Sequence, residues 1–156
     1  MPNKVNPVPE GYHTATPYLI VNDAAAALEF YKQAFGATEL FRMAKPDGKV
    51  GHAEFKIDDS ILMLADEAPE VGARSPESLG GSPVSILLYL DDVDRVFNQA
   101  VAAGAKVQQA LTNKFYGDRM GGVIDPFGHV WYVATHVEDV SPEEMQKRAA
   151  AAAAHD

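Results

Sequence analysis

The sequence predicts an α+β fold of two tandem βαβββ modules, each a curved antiparallel sheet backed by its helix. Three observations predict it. The order strand, helix, strand, strand, strand occurs twice, roughly 70 residues apart. The stretch LIVNDAAAALEFYKQAFGA aligns over LYLDDVDRVFNQAVAAGA with one residue of slip. Each module also carries a hairpin whose side chains divide into an apolar and a more polar face when strand alternation is applied.

The expected organisation is an irregular N-terminal arm over residues 1–13, a first module over 14–66, a connecting loop over 67–83, a second module over 84–138 and a peripheral tail over 139–156. The arm begins MPNKVNPVPEG, rich in proline and without an apolar run. Thr14 to Val21 reads as the first strand, with Pro17 at an edge or bulge. Asn22 or Asp23 caps a helix running to about Phe35, whose face is Ala24, Ala27, Leu28, Tyr31 and Phe35, and Gly36 stops it. Thr38 to Met43 is a strand, Lys45 to Gly48 a turn, and His52–Ile57 with Ser60–Leu64 a hairpin closing at Asp58-Asp59. The segment from Asp66 to Ser82 is a loop by composition. Ser85 to Leu90 then starts the second module. A helix follows with Val93, Val96, Phe97 and Ala100 on one face, ended by Gly104, and Lys106 to Leu111 is the next strand. Ser141-Pro142-Glu143-Glu144 is a capping box opening a peripheral helix that frays into the alanine tract.

The last hairpin, Asp118–Ile124 and His129–Ala134, turns at Asp125-Pro126-Phe127-Gly128, with the Asp125 carboxylate capping the turn. Setting Ile124 opposite His129 pairs Gly121 with Tyr132, so Arg119 and Tyr132 share one face while Met120, Trp131 and Val133 take the other. In the first hairpin, Glu54 faces Met63 and Lys56 faces Ile61. His52, Glu54, Lys56, Ile61 and Met63 therefore share a face opposite the apolar set Ala53, Phe55, Ile57, Leu62 and Leu64. His52 then takes the place of Arg119 in the repeat, and Met63 that of Tyr132.

The candidate ligand-binding residues are Tyr18, His52, Glu54, Met63, Ser85, Tyr89, Arg119 and Tyr132, lining a cleft between the two modules. His52 and Glu54 are the best catalytic candidates, because His-x-Glu on one strand face can bind metal or act as acid and base. Arg119 can hold a carboxylate or phosphate bidentately, or pair structurally with Glu54 or Asp118. Tyr89 and Tyr132 can stack on a ligand or fill a core. Trp131 is expected in the core.

Composition limits the alternatives. The chain has 156 residues, 47% hydrophobic and 22% charged, as expected of a soluble globular protein. A net charge of −9 argues against nucleic-acid or anionic-membrane surfaces. Absence of cysteine excludes disulfides, thiolate metal sites and cysteine nucleophiles. It also fits a cytoplasmic location, as does an N-terminus without a signal-peptide pattern. No nucleophile elbow, P-loop or dinucleotide fingerprint is present.

The doubled unit, the FYKQAFGA helix end and the DPFGH turn resemble the vicinal oxygen chelate superfamily. TPYLIVNDAAAALEFYKQAFGA, GHAEFKIDDSILMLADE and YGDRMGGVIDPFGHVWYVATHVEDVSPEEM resemble its PhnB-like glyoxalase/bleomycin-resistance branch, from about Thr14 to Met145. The resemblance implies a homodimer and metal ligands near Thr16, Met63, Ser85 and Tyr132. None of these is a competent neutral ligand for a divalent metal. The expectation is a small-molecule binding protein with no cofactor. The rivals are a glyoxalase-type lyase or isomerase, and a decayed pocket whose dimer surface matters. The lyase or isomerase would use zinc, nickel, manganese or iron at His52, Glu54 or His13, or His52 as a base.

Overall fold

The structure is a computed structural model that describes residues 4–154. The first three residues of the predicted arm and the last two of the tail lie outside the described residues. The chain divides into two units between Gly81 and Ser82. The first comprises β1 (Tyr18–Val21), α1 (Ala24–Phe35), β2 (Thr38–Ala44), β3 (Val50–Ile57), β4 (Ser60–Asp66) and the short α2 (Pro76–Leu79). The second comprises β5 (Ser85–Tyr89), α3 (Val93–Ala103), β6 (Lys106–Asn113), β7 (Asp118–Ile124), β8 (Val130–His136) and α4 (Pro142–Ala153).

Each unit holds one four-stranded sheet, ordered β1-β4-β3-β2 and β5-β8-β7-β6. These are the two βαβββ modules. Their sheets are mixed, which corrects the expectation of purely antiparallel pairing. β1 runs parallel to β4, and β5 parallel to β8. The reason is topological: the helix after the first strand carries the chain across the sheet, and the hairpin returns its last strand beside the first in the same sense.

The helices follow their apolar faces. All five predicted face residues of α1 are buried, joined by Phe30 and Ala34. Tyr31 stacks on Phe55 of β3 with ring centroids 5.2 Å apart and planes 12° from parallel. Asp23 caps the helix through Ala26 N, and Gly36 ends it at φ 69°, a conformation glycine adopts without steric cost. In α3, Val93, Val96, Phe97 and Ala100 are buried. Phe97 packs so closely on β7 that a Cβ at Gly121 would lie 2.6 Å from its ring.

Several boundaries differ from the sequence reading. β1 begins at Tyr18 because proline donates no ladder bond, although the Pro17 carbonyl still accepts from Met63 N at 3.0 Å. The connecting loop contains a 3₁₀ turn (Pro69–Val71) and α2, capped by the buried Ser75. Glu67 accepts from Ser75 N at 2.6 Å, and hydrogen bonds from Ser75 and Ser78 hold its carboxyl down at about 2. The α4 helix starts at its Ser141 cap and is anchored by Arg148, which donates to Glu138, Glu144 and the Phe115 carbonyl.

In each module a side chain from the last strand reaches the start of the helix. The buried Asp66 accepts from Ala24 N and from Val50 N, both at 2.7 Å. Thr135 accepts from Val93 N at 3.0 Å and donates to the Leu90 carbonyl at 2.6 Å. Replacing Asp66 by alanine would leave two inward-facing amides without their acceptor. Asp66→Ala is expected to cost about 2–3 kcal/mol in denaturant unfolding, and Asp66→Asn less, because it keeps one acceptor oxygen.

Candidate functional site

With one face of each sheet covered by a helix, strand alternation assigns the remaining side chains to an open face. In the first module the predicted hairpin register holds: Ile57 faces Ser60, Lys56 faces Ile61 and Glu54 faces Met63. Tyr18 pairs with Met63 from the other side, which brings Tyr18, Met63 and Glu54 into one row. Phe41 pairs with Glu54 and Met43 with His52 from the edge strand. Four of the predicted residues, Tyr18, His52, Glu54 and Met63, are therefore neighbours on one open face. Tyr18, Phe41 and Met43 are 48%, 46% and 54% exposed there.

Tyr18 Oη lies 2.8 Å from His52 Nδ1, with the rings 5.5 Å apart, and the Phe41 ring is 6.3 Å from the imidazole. Burial first, and then the Glu54 charge, raises the Tyr18 phenol, so it keeps its proton at neutral pH. With Tyr18 donating, the imidazole proton sits on Nε2, 3.7 Å from Glu54 Oε1. That separation is too long for a hydrogen bond.

Glu54 Oε1 is instead taken by the hydroxyl of Tyr12, which donates from the N-terminal arm. Burial, and then the Glu54 hydrogen bond and charge, pushes Tyr12 up to about 12. The sequence pattern marks neither Tyr12 nor Phe41 as a site residue. Tyr12 has no periodic pattern to mark it and is 42 residues from its partner. Phe41 follows a bulge between Glu39 and Phe41 that breaks simple alternation along β2. His13, the outlying alternative ligand, is exposed on the arm.

The second module departs from the predicted face. Asp125 N donates to the His129 carbonyl at 2.9 Å, and Gly128 N to the Asp125 carbonyl at 3.1 Å. The loop is therefore only Pro126-Phe127-Gly128, and the ladder continues as Ile124 with Val130, Gly122 with Tyr132 and Arg119 with Thr135. One residue of slip exchanges the faces. Arg119 lies on the helix side, where its guanidinium holds Asp94 of α3 bidentately at 2.8 and 2.9 Å. It shares no wall with Tyr132. By register, His52 corresponds to Met120 rather than to Arg119, and Glu54 to Gly122.

Asp125 shows why the loop shortens. Its Oδ1 accepts from Phe127 N and His129 N, and its Oδ2 from the buried Trp131 Nε1 at 2.9 Å. These bonds hold it opposite His129 just beyond the end of β7, so that only three residues remain for the loop.

The open face of the second module carries Ser85, Leu87 and Tyr89 beside Val130, Tyr132 and Ala134. The Tyr132 ring lies over Gly122, where a Cβ would meet it at 2.8 Å. Tyr89 donates to Asp118 Oδ2 at 2.8 Å. The other oxygen of Asp118 is 2.7 Å from His136 Nδ1, and His136 Nε2 is 2.7 Å from Asp139. Tyr89, Leu90, Asp91, Thr135 and His136 line a surface cavity of about 320 Å³.

The positions that the resemblance assigns to a metal hold Thr16, Met63, Ser85 and Tyr132: two hydroxyls, a thioether and a phenol. Among the described residues, no three His, Cys, Asp or Glu side chains are grouped to hold a metal ion. His52 and Glu54 supply only two donors, each engaged by a tyrosine. The residues present do not fit a divalent metal.

Hydrogen bonds to Asp118, and then Asp139, raise the His136 imidazole above its ordinary 6.5. A folded-state value above the unfolded one stabilises the fold fully below pH 6.5 and loses that contribution as pH rises through the folded-state value. Melting temperature is thus expected to fall over that rise in the wild type, and His136→Gln to flatten this part of the profile.

A family model described as the glyoxalase/bleomycin resistance protein/dioxygenase superfamily matches residues 12–133. An uncharacterized protein of Mycobacterium bovis is 47% identical over 134 residues, covering 84% of this chain and 88% of that protein. Among solved structures, protein PA1353 of Pseudomonas aeruginosa is 27% identical with TM-score 0.67, over 81% of this chain and 99% of that one. The fosfomycin resistance protein FosX of Listeria monocytogenes, complexed with manganese(II) and sulfate, shares the fold at TM-score 0.62 and 18% identity, over 88% and 97% of the two chains. The chain belongs to the glyoxalase/bleomycin resistance protein/dioxygenase superfamily.

Proposed function

We propose that this chain is a small-molecule binding protein that holds its ligand on an open sheet face without a divalent metal. One observation carries the reading. On the first module's open face, His52 and Glu54 are engaged by the hydroxyls of Tyr18 and Tyr12, amid exposed Tyr18, Phe41 and Met43. Aromatic faces with a few convergent polar groups suit the capture of an organic molecule, the rings supplying contact area and the polar groups orientation. The donor set at the family's metal positions supports the metal-free part. The homodimer implied by the resemblance belongs to the same proposal and is read by sedimentation of untagged protein.

A second reading, proton transfer by His52, is favoured by the ring nitrogen left towards Glu54 when Tyr18 engages Nδ1. It predicts turnover of a ligand rather than capture alone.

Untagged protein is expected to contain zinc, nickel, manganese and iron far below one atom per chain, unchanged in His52→Ala. Stoichiometric metal lost in that variant would overturn the metal-free reading. A metabolite and glycopeptide panel is expected to yield a ligand that raises the melting temperature and is recovered unaltered. Tyr18→Ala is expected to weaken that ligand about tenfold, ~1.4 kcal/mol, by removing the stacking face.

A further inference from the structure

The N-terminal arm contributes to the first module's open face, where the Tyr12 hydroxyl donates to Glu54, the carboxylate of the cluster described above. Tyr12 closes a turn with its N–H on the Pro9 carbonyl at 3.1 Å, and Gly11 has φ 84°. A Cβ at Gly11 would lie 3.2 Å from Ile61 Cδ1, so the arm rests on the same face as Ile61 and Glu54. Among the described residues, the arm pairs with no strand of the sheet. It is held by side-chain contact rather than by a ladder.

A carboxylate accepts hydrogen bonds and cannot donate them, so whatever engages Glu54 must bring a donor. Tyr12 supplies a neutral one. A nitrogen cation supplies a charge-assisted one, which is stronger. The rings of Tyr18 and Phe41 flank His52 beside Glu54, and aromatic faces attract cations through their quadrupoles. Lys56 shares the face, but it is exposed and its charge is screened by water. The chain's net charge of −9 acts in the same direction as Glu54 on an approaching ion.

We infer that Glu54 is the anchor for a planar organic cation bearing N–H donors, and that Tyr12 is a built-in competitor which such a ligand displaces, releasing the arm. This rests on the small-molecule reading above and deepens it by giving the ligand class and a gate.

The test uses the full chain and three probes of similar shape: benzamidine (a planar cation), benzoate (an anion) and benzyl alcohol (neutral). Binding is followed by titration in ¹⁵N-edited NMR spectra. Benzamidine is expected to bind more tightly than the other two and to shift the Gly11 and Tyr12 amides. Tyr12→Phe removes the competing donor and is expected to tighten benzamidine about 5-fold. Glu54→Gln, matched in shape, is expected to weaken it about 10-fold or more. Thermal melts establish that both variants are folded.

Weaker benzamidine binding in Tyr12→Phe, or unchanged binding in Glu54→Gln, would overturn the inference. So would benzoate or benzyl alcohol binding at this face as well as benzamidine does, although small-molecule binding itself would then stand. Failure of all three probes, together with a metabolite panel that never raises the melting temperature, would remove both.

Discussion

The contact on which each module depends joins the last strand of its sheet to the first turn of its helix. A helix N-terminus leaves backbone amides without intrahelical partners, and burying them without an acceptor is costly. In the first module Asp66 satisfies one such amide, at Ala24, and one at the start of β3, at Val50. Thr135 meets the same need in the second module, accepting from Val93 and donating to Leu90. The two side chains stand at corresponding positions beside the parallel strand pairs. They fix where the helix begins over the sheet, and with it the face that the helix covers.

The open faces that remain are chemically unlike each other. In the first module a carboxylate and an imidazole lie among exposed rings, and two tyrosines complete their hydrogen bonding. In the second, Gly122 occupies the position of Glu54 and Met120 that of His52, while the Tyr132 ring covers the glycine. Its polar cluster lies at the end of the sheet instead, where Asp118 joins Tyr89 to His136. The repeat preserves the backbone plan, but the polar chemistry at equivalent positions has diverged. A ligand that needs a carboxylate among aromatic rings has that arrangement on the first face.

Arg119 illustrates the limit of reading a hairpin from its turn residues. Proline and glycine correctly mark the bend at Asp125 to Gly128, but they do not count the residues left in the ladder. That count depends on Asp125, whose carboxylate reaches the Trp131 indole six positions on and whose amide pairs with His129. The buried Trp131 fixes this choice, and the consequence of one residue is that Arg119 meets Asp94 of α3 rather than a ligand. In the Asp58-Asp59 hairpin the turn contains no such ambiguity, and the pairing of Glu54 with Met63 is legible directly.

By itself the sequence determined the two βαβββ modules, the buried faces of both main helices, the core position of Trp131 and the row of His52, Glu54 and Met63. All of these follow from local periodicity, caps and a short turn, whose physics acts within a few residues. Only the tertiary structure decided the parallel pairing of first and last strands, the side on which Arg119 lies, and the placing of Tyr12 on Glu54. Those depend on contacts between residues far apart in the chain or on packing around a buried side chain. Phe41 belongs with them, because a bulge in an exposed edge strand moves a residue to the other face without changing any hydrophobic pattern.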